Sequence, residues 1–153
     1  MELSFTIELE KIFSQIGNSK ELPIATSCKN HTTVRIVSCI ILNNKIYFQT
    51  GTDLLKYEQI LENNNVALCY INIQIEGNAN IIGKTNEKNN NEIMEIYKKY
   101  FKNSYETYSH LENEVLIEII PKKIIKWDYE NGKPYRIILD IENSNIRKEM
   151  YLN

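Results

Sequence analysis

Three side chains that can bind an anion lie at short spacing in the first third of the chain. Arg35 opens an apolar stretch, Thr50 ends the segment Tyr47-Phe48-Gln49-Thr50, and Lys56 follows six residues later. Guanidinium and ammonium groups are common partners of phosphate, and a helix N-terminus adds partial positive charge. Because Lys56 falls on the first turn of a predicted helix, we interpret this stretch as a phosphate-binding hairpin.

The composition limits the classes of protein to which the chain can belong. Its 153 residues, of which 42% are hydrophobic and 25% charged, fit one folded domain spanning residues 1–153. The formal net charge of -2 lacks the basic excess that nucleic-acid binding requires. No apolar run approaches the roughly 20 residues of a membrane span, and the N-terminus does not resemble a signal peptide. We therefore expect a cytoplasmic protein that binds neither nucleic acid nor membrane.

Cysteine and histidine give no sign of a metal site. Cys28, Cys39 and Cys69 are far apart and set among apolar residues, which predicts reduced, buried thiols. There is no Cys-x-x-Cys pair and no Cys/His pair at zinc-finger spacing. His31 and His110 lack triad partners at a suggestive spacing, so we expect both to be solvated.

Hydrophobic periodicity predicts the elements that position these side chains. Helices are predicted at 3–16, at 54–62 with Thr52-Asp53 as N-cap, and at 92–101 with a continuation through Tyr105 and Tyr108. Strands are predicted at 22–27, 32–42, 45–50, 66–71, 73–84, 115–120, 124–129 and 135–141. Asn43-Asn44 and residues 130–133 are predicted to be turns and Gly77 a bulge. The charged tail after Asn143 is expected to be a short helix or frayed.

The connections between the predicted strands indicate the fold class. Most strands follow one another through hairpins, and three helices are interposed. This predicts a mainly β fold with flanking helices, a closed antiparallel barrel of Greek-key type. A doubly wound parallel sheet is disfavoured, because it needs a crossover helix between most strands.

The order of motifs from about Leu22 to Gly83, and more loosely to Ile141, supports a family resemblance. Beyond Arg35, Thr50 and Lys56, it includes the helix end Asn63-Asn64 and the later step Glu76-Gly77. In spacing and residue type the chain resembles the pyridoxamine 5'-phosphate oxidase-like flavoproteins. That resemblance implies an FMN-binding split β-barrel that forms a homodimer with the flavin at its interface.

The resemblance also assigns roles to particular residues. It implies that Arg35, Thr50 and Lys56 hold the FMN phosphate and that the strand starting at Arg35 runs along the flavin ring. An amide in the later strand contacts the ring in the family, and Asn72 or Gln74 would take that part here. The full set of implied cofactor-binding residues is Arg35, Ile36, Val37, Ser38, Gln49, Thr50, Lys56, Asn72 and Gln74.

Departures from the family pattern concern the substrate. Leu54-Leu55 replaces the Ser-Arg that precedes the lysine in true pyridoxamine-phosphate oxidases, and no Arg-x-His signature is found near the C-terminus. We therefore expect an FMN-dependent oxidoreductase with an unidentified small-molecule redox substrate, with NADH or NADPH as candidate donor and nitro-compound reduction as one variant. The alternatives are a non-catalytic flavin-binding or sensor module, or a barrel that binds haem or another anion.

Overall fold

Eight strands form one antiparallel sheet in the computed structural model, which describes residues 3–151. They are β1 (Ser19–Cys28), β2 (His31–Leu42), β3 (Lys45–Gly51), β4 (Asn65–Tyr70), β5 (Ile73–Lys84), β6 (Glu114–Glu130), β7 (Lys133–Asp140) and β8 (Asn145–Met150). The order is β3-β2-β1-β4-β5-β6, and β6 pairs back with β3, so that six strands close into a barrel. Strands β7 and β8 extend the sheet beyond β6.

This topology confirms the predicted fold class. Strands β1, β2 and β3 are joined by hairpins, and β4 returns to lie beside β1, which is the Greek-key arrangement. All the strand pairs in residues 3–151 are antiparallel, as expected for a mainly β split barrel.

Four α-helices flank the barrel in the described range. They are α1 (Phe5–Ile16), α2 (Leu55–Glu62), α3 (Asn91–Tyr100) and α4 (Lys102–Tyr108), and a short 3-10 turn at Lys88–Asn90 precedes α3. Ser4 begins α1, because its hydroxyl oxygen accepts the Ile7 N–H at 3.4 Å. The buried face of α1 and Ile60 of α2 join the same apolar core as the strands.

The alternation along β2 separates two hydrophobic clusters. Val37, Cys39 and Ile41 point into the barrel, where they pack in the main core. Ile40 points the other way and packs in a second cluster with Tyr97 of α3. The outer face of β2 is therefore covered by α3 at one end and left open at the other, and that open part borders the site described below.

The predicted turns and bulge are confirmed. Asn43 and Asn44 adopt positive φ values of 52° and 61°, as a tight hairpin requires. The register between β5 and β6 shifts between Glu76 and Gly77. A Cβ atom at Gly77 would lie 2.6 Å from the Ile120 carbonyl oxygen, so the close approach of β6 requires glycine there.

Four predicted elements, two strands, the tail and the third helix, differ from those in the structure. The strands predicted at 115–120 and 124–129 form one strand, β6. One edge of β6 pairs with β3 up to Ile119 and with β7 from Lys123. Pro121 lies between these two pairings, so its missing N–H removes no hydrogen bond from either of them. The tail after Asn143 forms β8, neither a helix nor a frayed end. The third predicted helix is two helices, since the backbone leaves helical geometry at Phe101.

The cysteines differ in environment, contrary to the prediction of three buried thiols. All three are free, but only Cys39 is buried, whereas Cys28 is half-buried and Cys69 is exposed. Burial raises the pKa of the Cys39 thiol to about 12. Both histidines are exposed, as expected. Within residues 3–151, the helices are all too short or too polar to cross a membrane.

Candidate functional site

A cavity of about 530 Å³ opens between β2, β3, the start of α2 and the α3–α4 region. Its volume lies in the range of about 300–1,000 Å³ usual for small-molecule sites. Six of the nine predicted cofactor-binding residues line it, and these are Ile36, Val37, Ser38, Gln49, Thr50 and Lys56. The other three, Arg35, Asn72 and Gln74, lie outside its lining.

The start of α2 supplies an uncapped helix N-terminus beside this cavity. The N-cap residue is Leu54, which gives no side-chain hydrogen bond, so the predicted Thr52-Asp53 cap is wrong. The Asp53 carboxylate instead accepts a hydrogen bond of 3.1 Å from the Asn113 side chain. The first-turn N–H groups are therefore left without a side-chain acceptor, which favours an anion at this position.

Arg35 lies next to this helix start, on the barrel-facing side of β2. One of its amino nitrogens donates to the Thr26 hydroxyl at 2.6 Å and to the Ile24 carbonyl at 3.5 Å, and the other donates to the Thr33 hydroxyl. Burial lowers the pKa of Lys56, and the positive charge of Arg35 lowers it further. The charge of Arg35 therefore acts on Lys56, while the carboxyl groups of Glu114 and Asp53 raise the pKa of this lysine in opposition.

Neither of these cations is neutralised by a salt bridge. Within residues 3–151, no carboxylate oxygen lies within 4.0 Å of the charged nitrogens of Arg35 or Lys56. Both side chains are half-buried. Two neighbouring cations that have lost part of their hydration repel each other, so an anion between them would be strongly favoured.

The wall opposite the helix start is polar and rigid. The Ser109 hydroxyl donates to the Gln49 side-chain oxygen at 2.6 Å, and the Gln49 nitrogen donates to the Ser104 carbonyl at 3.5 Å. The Tyr97 and Ser104 hydroxyls are 2.9 Å apart. Tyr97 and Ser104 both line the cavity, yet the sequence predicted neither, because the tyrosine spacing is equally typical of a packed helix.

Glu114 is a further lining residue that the sequence did not predict. It begins β6, is only 5% exposed, and lines the cavity together with Asp53 and Lys56. Burial raises the pKa of its carboxyl group to about 7, with a further increase from Asp53 and an opposing decrease from Lys56. A Cβ atom at the neighbouring Gly51 would lie 2.6 Å from an Asp53 carboxylate oxygen, so glycine there makes room for Asp53. A carboxyl group with a raised pKa therefore lines the cavity together with Lys56.

Asn72 and Gln74 lie in a different part of this protomer. The Asn72 amide nitrogen donates to the Trp127 carbonyl at 2.6 Å, and its side-chain oxygen accepts from Gln15. Gln74 donates to the Glu76 carboxylate at 3.3 Å. The protomer by itself does not bring these amides to the cavity, and their role in binding stays a prediction.

The described residues contain no group of three or more histidine, cysteine, aspartate or glutamate side chains that could hold a metal ion. The lining instead offers the ammonium group of Lys56 together with hydroxyls and amides, next to the carboxyl groups of Asp53 and Glu114. Such a donor set suits a phosphorylated organic molecule, with the phosphate at the helix start and the remainder along β2 and β3.

The model of the pyridoxamine 5'-phosphate oxidase family matches residues 10–128 of the chain. This match includes β1 to β5 and most of β6, so it contains both cations and Glu114. Among curated protein sequences, none matches this chain.

Solved structures share the fold at low sequence identity. PhzG from Burkholderia lata 383, in complex with tetrahydrophenazine-1-carboxylic acid, has a TM-score of 0.67 at 11% identity, with 98% of this chain and 93% of that chain covered. A pyridoxamine 5'-phosphate oxidase-related, FMN binding protein from Nostoc punctiforme PCC 73102 has a TM-score of 0.60 at 12% identity, with 97% of this chain and 93% of that chain covered. The haem storage protein HutZ from Vibrio cholerae has a TM-score of 0.59 at 11% identity, with 78% of this chain and 91% of that chain covered. These likenesses show the fold alone.

Proposed function

Because the chain belongs to the pyridoxamine 5'-phosphate oxidase family, we propose that it binds FMN, with the phosphate between Arg35 and Lys56 and the ring along β2. The observation that carries this proposal is the pair of half-buried cations, Arg35 and Lys56, which interact electrostatically and form no salt bridge, beside a helix start without a side-chain cap. A phosphate dianion would relieve their mutual repulsion and accept hydrogen bonds from both.

The energetics of such a site are sufficient for tight binding. Each charge-assisted hydrogen bond contributes roughly 1.5–3 kcal/mol, whereas micromolar affinity requires about 8 kcal/mol. Two such bonds would then supply roughly 3–6 kcal/mol of this amount. The flavin ring would supply the rest by burying apolar surface against Ile36 and against the end of the cavity lined by Tyr108 and Leu111.

The proposed activity is that of an oxidoreductase. When bound, FMN supplies two-electron redox chemistry, while the protein binds it, orients it and excludes water. Gln49, locked by Ser109, and the backbone of Val37 and Ser38 are proposed to contact the polar edge of the ring. The substrate would be a small redox-active molecule, with NADH or NADPH as candidate donor and nitro compounds as candidate acceptors. A flavin-binding sensor without turnover is the alternative.

We also propose that the protein forms a homodimer in the cytoplasm. Val34 and Ile36 on the open face of β2 are 67% and 60% exposed, and these apolar side chains lie beside the cavity. A second subunit seated there would cover them and would be the means of bringing Asn72 or Gln74 to the flavin. The three free cysteines fit a reducing compartment.

Haem binding is less well supported by the site. The haem storage protein HutZ shares the fold, but the residues that line the cavity include neither His31 nor His110. Imidazole is a common axial ligand of haem iron. FMN therefore accounts for the donor set better than haem does.

Titration of the purified protein with FMN tests this proposal. We expect micromolar or tighter binding, measured by quenching of flavin fluorescence. In the double variant Arg35→Ala with Lys56→Ala the affinity for FMN should fall by about 100-fold or more, because two charge-assisted hydrogen bonds are lost. Lys133→Ala with Arg147→Ala is the matched control, because it removes the same charge from β7 and β8. Retention of stoichiometric FMN by the Arg35 and Lys56 double variant would refute the assignment.

A second measurement separates an enzyme from a sensor. An enzyme loaded with FMN is expected to lose its absorbance at the flavin band when NADH or NADPH is added and to recover it with an electron acceptor. A loaded protein that neither donor bleaches would contradict the oxidoreductase proposal and leave the flavin-binding one intact.

A further inference from the structure

A buried glutamine lies behind Arg35, where α2 packs against β1 and β2. Gln59 is 3% exposed, and its side-chain oxygen accepts hydrogen bonds from the Thr26 hydroxyl at 2.6 Å and from the Thr33 hydroxyl at 2.7 Å. Its side-chain nitrogen donates to the His31 carbonyl at 2.9 Å. Every polar atom of this side chain is therefore engaged.

The chemistry of these partners determines the direction of each hydrogen bond. A carbonyl oxygen can only accept, so the amide group of Gln59 must turn its nitrogen toward His31 and its oxygen toward the two threonines. The amide oxygen can also only accept, so both hydroxyls must donate their single proton to it. Each threonine oxygen is then left as an acceptor for another donor.

Arg35 supplies that donor to both hydroxyls. Its two amino nitrogens bond separately to Thr26 and Thr33, which fixes both the plane of the guanidinium group and its rotation. The acceptors are neutral, so they orient the group without cancelling its charge. A carboxylate in the place of Gln59 would still accept from both hydroxyls, but it would lose the hydrogen bond to the His31 carbonyl and would partly neutralise the cation.

We propose that Gln59 is a positioning residue of the anion site: acting through Thr26 and Thr33, it holds Arg35 in one orientation with its full charge available to the FMN phosphate. The inference rests on the proposed function. It adds that α2 contributes to the site twice, through its N-terminus and through the side chain of Gln59. It assigns to Thr26 and Thr33 the same supporting part.

Comparison of FMN with riboflavin isolates this effect, because riboflavin lacks the phosphate and reports only ring binding and an intact pocket. In Gln59→Glu we expect FMN affinity to fall by about tenfold or more while riboflavin affinity changes by less than about twofold. Gln59→Met and Thr33→Val should lower FMN affinity less, and Thr33→Val leaves α2 unchanged if the glutamine variants fold poorly. Asn89→Asp, an exposed amide changed to a carboxylate, controls for added charge.

Nitrogen NMR of the arginine side chains gives a readout that needs no ligand. The sequence has three arginines, and the spectrum of Arg35→Lys identifies the signals of Arg35. Separate signals are expected for its two amino groups in the wild-type protein, and averaged signals in Gln59→Met, where the hydroxyls are free to rotate.

The outcomes distinguish this inference from the proposed function. If the wild-type protein does not bind FMN, the proposed function is overturned, and the NMR measurement still decides whether Gln59 holds Arg35. If the wild type binds FMN but the ratio of FMN to riboflavin affinity is unchanged in Gln59→Glu and Thr33→Val, the positioning role is overturned alone. Unchanged Arg35 signals in Gln59→Met would overturn it as well.

Discussion

Replacement of Glu114 by glutamine is expected to stabilise the protein at alkaline pH and to have little effect in acid. The carboxyl group is nearly buried at the edge of the cavity, and burial raises its pKa from 4.5 to about 7. Above pH 7 the group is ionised in both the folded and the unfolded chain, but ionisation costs more free energy in the folded one. Glutamine keeps the shape and removes that cost.

The magnitude follows from the difference between the two pKa values. At about 1.36 kcal/mol per pKa unit, a pKa of about 7 against 4.5 makes wild-type folding less favourable by about 3 kcal/mol at pH 8. Because the folded-state pKa is the higher one, the cost begins near pH 4.5, grows until about pH 7 and is constant above it. At pH 4.5 only half of the unfolded chains carry the charge, and the difference shrinks to about 0.4 kcal/mol.

Urea unfolding at pH 4.5 and pH 8 measures this difference, followed by circular dichroism and by the fluorescence of Trp127, the only tryptophan. Glu95→Gln, an exposed position on α3, is the matched control and should change little at either pH. A free-energy change for Glu114→Gln that is equal at the two pH values, or a loss of stability at pH 8, would refute the reasoning.

Three further outcomes are expected. FMN affinity should fall as pH rises from 6.5 to 8, because Glu114 ionises beside the phosphate site. The FMN phosphate, with a second pKa of about 6, changes its charge little over this range. Titrations with FMN should therefore show the pH dependence in the wild type and not in Glu114→Gln. Gly77→Ala should lose about 2 kcal/mol or more in urea unfolding, since its Cβ would meet the Ile120 carbonyl oxygen, and an unchanged midpoint would contradict the close approach of β6. A thiol reagent should modify exposed Cys69 first and Cys39 only on unfolding, as judged by mass spectrometry; early labelling of Cys39 would show that the core opens.

Local signals account for the parts of the fold that the sequence predicted. The Asn43-Asn44 hairpin and the Gly77 bulge depend on backbone freedom at one or two positions, so the residue type reveals them. The errors have long-range causes. Pro121 is typical of a strand end, yet β6 continues through it because its neighbours on one edge change there. The tail forms β8 by pairing with β7, and its charges are those of a protected edge strand rather than of a frayed end.

In the candidate site, too, residues with a local sequence signal can be separated from residues whose position depends on long-range packing. Arg35, Thr50 and Lys56 lie within one hairpin and the following helix turn, so their spacing in the sequence is enough to predict a common site. Tyr97 and Glu114 reach the cavity from later elements, and their positions depend on how those elements pack against β2 and β3. Gln59 has no sequence signal of its own either, since only the fold brings it to Thr26 and Thr33.

The closure of β3 against β6 has a consequence for the order of folding. Gly51 pairs with Glu114, 63 positions further along the chain (114 minus 51), whereas β1–β2, β2–β3 and β4–β5 pair through hairpins. Joining chain segments this far apart costs about 4 kcal/mol of entropy by the logarithmic dependence on loop length. We therefore expect this pairing to form late in folding. Residues of both β3 and β6 line the cavity. A bound cofactor would therefore stabilise the strand pairing that forms last.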